Sequence, residues 1–291
     1  EILNLNAALE MRVEQRTKEL DETNKFLQKE IEKRSASKDK IDTIYFGGGT
    51  PSLLPVKEVE TLLQTIEDKF IVSRDVEVTL EVNPGTIDFN YLRELKNVGI
   101  NRLSIGVQSF NDNKLKFLGR IHTAKQAVKS FDDAEKAGFS NISMDLMYGV
   151  PFETEITWLK DLKQAVVTDP SHLSCYMLTI EPGTPLDEKL KTGLITPIGS
   201  NAMSMLFKKT VQFLDKFKYE QYEISNFSKG RQNRSKHNSK YWDMTSYYGF
   251  GAAAHSYDGK IRSWNHKSIE LYIKDIGSGR LPVEDRETLT R

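Results

Sequence analysis

The hydrophobic pattern changes period near residue 40. Before it, Ile2, Leu5, Leu9, Val13, Arg16, Leu20, Asn24, Leu27 and Ile31 succeed one another at intervals of 3, 4, 4, 3, 4, 4, 3 and 4, with no Gly or Pro in the stretch. This eleven-residue repeat, about 3.67 residues per turn, predicts one long helix with a nearly straight or slightly right-handed seam. Its other faces mix Lys, Arg, Glu and Asp evenly. The pattern predicts a coiled-coil helix over 1–40 that joins two copies into a homodimer. The plainer alternative is a solvated helix packed on its own domain.

After the polar hinge at residues 35–40, β-rich apolar runs begin at Ile41–Phe46, Val76–Val82, Arg102–Val107, Asn141–Met147 and His172–Leu178. Helix-period stretches lie between them, near 55–69, 88–98, 123–137 and 155–167. Strands alternating with helices at this spacing predict βαβ units and a parallel sheet. Beyond Ser200 a helix to about Phe217 is expected, then short aromatic-rich strands and turns around Tyr222–Phe227 and Tyr247–Tyr257 that extend the sheet edge. The domain organisation expected is a helix at 1–40, a partial barrel at 41–220, and an edge extension at 221–291 that stops short of a full C-terminal region.

Composition narrows the class. With 291 residues, 38% hydrophobic and 28% charged, the chain is long enough to bury a sizeable core. Forty-one basic residues balance forty-one acidic ones, so no broad electropositive face for nucleic acid is expected. No apolar run approaches the roughly 20 residues that cross a bilayer, and the first residues carry no apolar signal core. A single cysteine, Cys175, excludes an intrachain disulfide framework and agrees with a reducing, cytoplasmic compartment.

Polar and glycine residues collect where predicted strands meet their loops, the rim at which barrels and doubly wound sheets bind ligands. Phe46-Gly47-Gly48-Gly49-Thr50-Pro51-Ser52 follows a strand and lets backbone groups approach a ligand with no Cβ in the way. Glu81-Val82-Asn83-Pro84-Gly85 ends the next strand with a carboxylate, and Ser104-Ile105-Gly106-Val107-Gln108 ends the third with an amide. Gly119-Arg120-Ile121-His122 supplies a guanidinium, and Asp145-Leu146-Met147-Tyr148-Gly149 another carboxylate. For each polar residue taken singly, a salt bridge or helix cap is the ordinary alternative.

In order and spacing these strings resemble the radical S-adenosylmethionine enzymes of the oxygen-independent coproporphyrinogen oxidase group, specifically its heme-chaperone branch, HemW, over roughly residues 41–285. The resemblance implies an α/β fold, a partial (β/α)6 barrel, here without its first strand and preceded by the long helix. It implies that Gly48, Gly49 and Thr50 meet the methionine end of S-adenosylmethionine, that Glu81, Gln108, Arg120 and Asp145 line its amino, carboxylate and ribose contacts, and that Met147 lies near the adenine. Arg forks onto carboxylates and Asp accepts ribose hydroxyls, so these assignments are chemically sound. Family members also carry a C-x3-C-x2-C loop for a 4Fe-4S cluster, whereas residues 1–40 here contain no cysteine. One thiol cannot hold such a cluster, so radical catalysis by this chain alone is not expected. Cys175 reads as a buried structural thiol. Residues 16–34 of the first helix resemble the linker helices of sensor histidine kinases.

His237-Asn238-Ser239-Lys240-Tyr241-Trp242 reproduces the H-N-x-x-Y-W string of the heme chaperones. The resemblance implies heme binding, with His237 as iron ligand and Tyr241 and Trp242 against the porphyrin; imidazole is a common axial ligand, and Arg or Lys of the preceding basic loop, residues 229–234, would pair with propionates. The expected function is heme binding and transfer to a heme-accepting protein. Two alternatives stay open: an oxygen-independent coproporphyrinogen oxidase that decarboxylates propionates, and a degenerate barrel in a coiled-coil signalling fusion.

Overall fold

The computed structural model describes residues 24–32, 34 and 40–289. The chain divides into two compact units, one made of Tyr45–Leu53 and Glu77–Ser239, the other of Leu54–Val76, Lys240–Arg291 and the chain up to Ile44. Helix α1 lies within residues 24–34, and the elements after it run β1 (Lys40–Phe46), α2 (Val56–Lys69), β2 (Ile71–Val82), α3 (Phe89–Asn97), β3 (Arg102–Gln108), α4 (Asp112–Phe117), α5 (Ala124–Lys136), β4 (Asn141–Tyr148), α6 (Glu155–Thr168) and β5 (His172–Met177). They continue with α7 (Pro185–Lys191), α8 (Ser200–Asp215), β6 (Glu220–Gln221), β7 (Asn226–Ser228), α9 (Lys236–Trp242), β8 (His255–Tyr257), β9 (Ile261–Asn265), α10 (Ile269–Gly277) and β10 (Val283–Thr288). The strand and helix periods read from the sequence therefore correspond to elements, with β2 starting five residues earlier than its apolar run.

A seven-stranded sheet has the order β1-β2-β3-β4-β5-β7-β6. Strands β2 to β5 are parallel neighbours, and β7 and β6 close the edge antiparallel. The interior strand β3 is buried at every position, the signature of a parallel strand covered on both faces. Local chemistry sets the helix starts. Thr123 and Gln126 form a reciprocal capping box on α5, and Thr154 and Thr157 do the same on α6. On α5 the buried Ala127, Phe131 and Ala134 recur at helical spacing and make its core-facing stripe. Trp158 of α6 is fully buried, and its Nε1 donates to Thr210 Oγ1 of α8 at 2.7 Å.

The same unit holds a buried charge cluster. Lys114 of α4 pairs with Glu153, and with Asp161 at 3.1 Å, while Asp161 also accepts from Ser109 Oγ at 2.6 Å and Phe110 N at 2.8 Å. Burial holds the Glu153 carboxyl above its usual range, against the opposing pull of Lys114.

The other unit contains a second, antiparallel sheet, β10-β9-β8. Of the segments expected to lengthen the large sheet, only 226–228 does so; Tyr257 and its neighbours instead pair with β9. The reason is local: Asp258 Oδ1 accepts from Lys260 N and Ile261 N across a tight turn with Gly259 at φ 95°, which folds β8 back on β9 as a hairpin.

The coiled-coil expectation for 1–40 finds no support in the described part of the first helix, and residues 1–23, 33 and 35–39 lie outside the described residues. Asn24, Glu30 and Ile31 are buried within the chain itself. Glu30 is fully buried and accepts from Tyr272 OH at 2.6 Å, Asn265 Nδ2 at 2.9 Å, Gly251 N at 3.0 Å and Arg34 Nε at 3.1 Å. The described part of this helix therefore packs on its own chain through the seam residues Asn24 and Ile31 and through Glu30 beside them.

Two stability outcomes follow from these buried charges. Lys114→Met leaves two carboxylates without their cation and should cost about 3–5 kcal/mol, read by urea unfolding, with part of the loss recovered when Glu153→Gln is added. Glu30→Ala should cost a similar amount, about 3 kcal/mol or more, by stranding several buried donors; an unfolding midpoint equal to that of the wild type would contradict the packing described.

Candidate functional site

Parallel register aligns polar residues at one level of the sheet. Glu81 is opposite Ser104, Ser104 opposite Ser143, and Ser143 opposite His172. Side chains two apart on a strand share a face, so the rim residues stand above this row on the same side. Ser143 Oγ lies 2.7 Å from His172 Nδ1, and His172 Nε2 lies 2.8 Å from Tyr222 OH. Burial, with Arg102 nearby, pushes the His172 pKa well below its ordinary value, so the imidazole is neutral.

Glu81 organises the glycine loop. Its Oε1 accepts from Tyr45 OH at 2.8 Å and its Oε2 from Gly48 N at 3.2 Å. Gly48 and Gly49 sit at φ 77° and 61°, the left-handed region that favours glycine. At Gly47 the reason is space: a Cβ would stand 2.6 Å from Tyr45 Cε1 and 3.0 Å from Glu81 Oε1. Burial raises the Glu81 pKa above the usual carboxylate range; the Tyr45 hydrogen bond opposes this and the Asp145 charge adds to it.

Asn83, two residues further on, is the hub of a second group. Its Nδ2 donates to Thr50 Oγ1 at 3.4 Å, and its Oδ1 accepts from Arg120 Nη1 at 3.3 Å. Gly106 makes room beside it: a Cβ there would lie 3.1 Å from both Asn83 Oδ1 and Gln108 Nε2. Gln108 is buried and holds φ 64°, where the β3–β4 register shifts. A non-glycine residue in that region stores about 1–3 kcal/mol of strain, which surrounding structure must sustain.

Asp145 of β4 accepts from Ser104 Oγ at 2.8 Å and Ser143 Oγ at 3.2 Å. Burial raises its pKa, with the hydroxyls of Ser174 and Ser104 pulling the other way. Burial lowers that of Arg120, opposed by the Asp145 charge. Gly48, Glu81, Arg120 and Asp145 are thus brought together, Thr50 and Gln108 join them around Asn83, and Met147 sits half-buried in β4, two residues past Asp145. Tyr45 and Asn83 were not singled out from the sequence, although each lies beside a motif residue with strand alternation pointing to the same face.

His237 enters from α9. The carboxylate of Glu77 caps the start of that helix, accepting from Lys236 N and His237 N at 3.1 Å each. The His237 ring stacks on Tyr45, with centroids 4.7 Å apart and planes 21° from parallel. Tyr45 therefore touches Glu81 through its hydroxyl and His237 through its ring face. In the other unit Tyr241 and Trp242 are 48% and 55% exposed, and Tyr241 meets Tyr247 edge-on at 5.0 Å. Of the basic loop, Lys229 pairs with Asp169, Arg234 lies 3.5 Å from Glu220, and Arg231 is exposed. Cys175 is buried in β5 and its thiol pKa is raised by that burial. Among the described residues no group of three or more His, Cys, Asp or Glu is arranged to hold a metal ion, and no helix is long and apolar enough to cross a membrane.

Residues 12–165 match the family model of the radical SAM superfamily. The heme chaperone HemW of Bacillus subtilis is 36% identical over 255 residues, covering 86% of this chain and 66% of its own length. Escherichia coli HemW is 39% identical over 222 residues, covering 76% and 56%. Radical S-adenosyl methionine domain-containing protein 1, mitochondrial, of Danio rerio is 34% identical, covering 94% and 64%. The chain thus spans between about half and two thirds of the length of these relatives. Among solved structures, coproporphyrinogen III oxidase HemN of Escherichia coli, a radical SAM enzyme, superposes with a TM-score of 0.80 at 22% identity, over 94% of this chain and 66% of that one. That likeness places the fold; the family match and the identity to the curated proteins place the chain, which belongs to the radical SAM superfamily and is HemW-like in sequence.

Proposed function

We propose that this chain binds heme and passes it to a heme-accepting protein. The observation that carries the reading is the setting of His237: an imidazole held by ring stacking on Tyr45 and a Glu77-capped helix start, within the His237-Asn238-Ser239-Lys240-Tyr241-Trp242 string. Ordered imidazole is the usual protein ligand of heme iron. The names of the curated relatives point the same way. Arg231 is available to a propionate. The lone buried thiol suits a reducing, cytoplasmic setting.

The second ligand of this reading is S-adenosylmethionine. Glu81 is the acceptor for its ammonium, Arg120 the fork for its carboxylate, and Asp145 the acceptor for ribose hydroxyls, with Gln108 and Met147 beside them and with Gly48 and Gly49, before Thr50, bearing no side chain that would block approach. The donor set of these 291 residues does not fit a 4Fe-4S cluster, because Cys175 is the single thiol and is buried. These residues by themselves therefore supply no centre for a radical step such as coproporphyrinogen oxidation.

Hemin titration followed by the Soret band tests the first part. Wild type should saturate near one heme per chain, and His237→Ala should weaken binding by about tenfold or more, roughly 1.4 kcal/mol; equal, weak binding by both proteins would remove the heme reading. Calorimetric titration with S-adenosylmethionine tests the second. Losing a charge-assisted bond is worth about 1.5–3 kcal/mol, so Glu81→Gln should reduce affinity about ten- to hundredfold. The ammonium pairs with ionised Glu81, whose pKa is raised, so wild-type affinity should fall as pH drops through that raised value, above the pH at which an ordinary carboxylate protonates. Glu81→Gln should lack this dependence, and an identical pH profile in both proteins would exclude Glu81 as the acceptor.

A further inference from the structure

Tyr45 makes three contacts that no other described side chain combines. Its hydroxyl donates to Glu81 Oε1 at 2.8 Å, its ring face stacks on His237 at 4.7 Å between centroids, and its Cε1 edge fills the space where a Cβ of residue 47 would stand, 2.6 Å away. Glu81 in turn holds the loop through Gly48 N at 3.2 Å. The carboxylate, the glycine loop and the imidazole therefore bear on one aromatic ring.

From this geometry we infer that Tyr45 is a positioning residue that couples the two ligands of the proposed function, so that an aminocarboxylate ligand on Glu81 weakens the hold of His237 on heme. The inference rests on that function and adds the link between its sites. The chain of cause is short. An ammonium pairing with Glu81 takes charge from the oxygens that Tyr45 OH and Gly48 N now use, and a ligand entering the loop presses on the residues packed along the Tyr45 edge. Both effects loosen the ring from its present seat. An axial imidazole ligates best when its plane is fixed by its neighbours, as outer contacts orient ligands at metal sites generally. Loosening Tyr45 removes that fixation. Because coupling between two bound ligands is reciprocal, heme must also weaken the aminocarboxylate by the same factor.

The consequence is a release device: heme would be held while the Glu81 site is empty and given up as it fills. No bond is made or broken in this scheme.

The test uses the full chain, with hemin and S-adenosylmethionine as probes. Hemin affinity is measured by absorbance with and without saturating S-adenosylmethionine, and S-adenosylmethionine affinity by calorimetry with and without hemin. In wild type each ligand should weaken the other about fivefold or more, by equal factors. Tyr45→Phe keeps the ring but loses the hydroxyl bond, so its hemin affinity without the second ligand should already fall to about the value that wild type shows with S-adenosylmethionine bound, while the coupling factor falls towards one. Tyr45→Leu should weaken hemin binding even with the Glu81 site empty. Independent binding of both ligands to wild type, or coupling undiminished in Tyr45→Phe, would overturn the inference and leave the proposed function standing. Failure of wild type to bind hemin, or to bind S-adenosylmethionine, would overturn that function itself, and the coupling with it. A purely structural role for Tyr45 would lower both affinities in Tyr45→Phe without changing their ratio.

Discussion

Burying polar side chains on the face of a parallel sheet is affordable only if each finds a partner there, and this constraint shapes the larger unit. Glu81, Ser104, Ser143 and His172 cross four strands at one level, joined in part through Asp145 and extended to Tyr222. An unmade hydrogen bond in such a setting costs about 1–3 kcal/mol. Register is thereby pinned, because a slip by one residue would carry the polar row to the opposite, apolar face and bring Leu80, Leu103 and Ile142 inward in its place. The opposite face of β3 is covered by helices whose apolar stripes match it, which is why the strand is buried throughout.

Above that row the same chemistry is used to hold acidic groups in a protonation-sensitive state. Burial pushes the carboxyls of Glu81 and Asp145 upward, and each is restrained by hydroxyls rather than by a direct ion pair: Tyr45 for Glu81, Ser104 and Ser174 for Asp145. Hydroxyls satisfy a carboxylate without neutralising it. A cationic or hydroxyl-rich ligand of the proposed kind would find these carboxylates without an internal ion pair, whereas the Lys114 cluster in the same unit pairs its carboxylates with an internal cation. The difference between the proposed ligand site and the structural cluster lies in that choice of partner.

The described residues of the first helix show how a periodic pattern is reused. Asn24, Leu27 and Ile31 belong to a repeat that reads as a seam for a second helix, yet Asn24 donates to Glu58 at 3.0 Å and Glu30 gathers donors from β9, α10 and the loop at Gly251. A seam is defined by spacing, and spacing does not say which surface will meet it. Glu30, off the apolar pattern, has the spacing of a solvent residue, yet it is buried and satisfied because distant segments supply its donors.

Much of the fold was legible because its signals are local. The alternation of β-rich runs with helix-period stretches named the first five strands and the helices between them, and the glycine loop, Glu81, Gln108 and Asp145 stood out as candidates by their place at strand ends, Arg120 by following a short helix. The identity of residues at successive strand ends constrains the rim, since period two decides the face. What the sequence by itself could not determine was contact across long separations. The stack of His237 on Tyr45, 192 positions apart by their numbering, the role of Asn83 between Thr50 and Arg120, and the hairpin that takes β8 away from the large sheet depend on register and on where chain segments return. Residue type and period determined the elements and the chemistry they could carry; only tertiary structure decided which of those groups meet, because hydrogen bonds and ring contacts act over a few ångströms and the chain brings them into range only when folded.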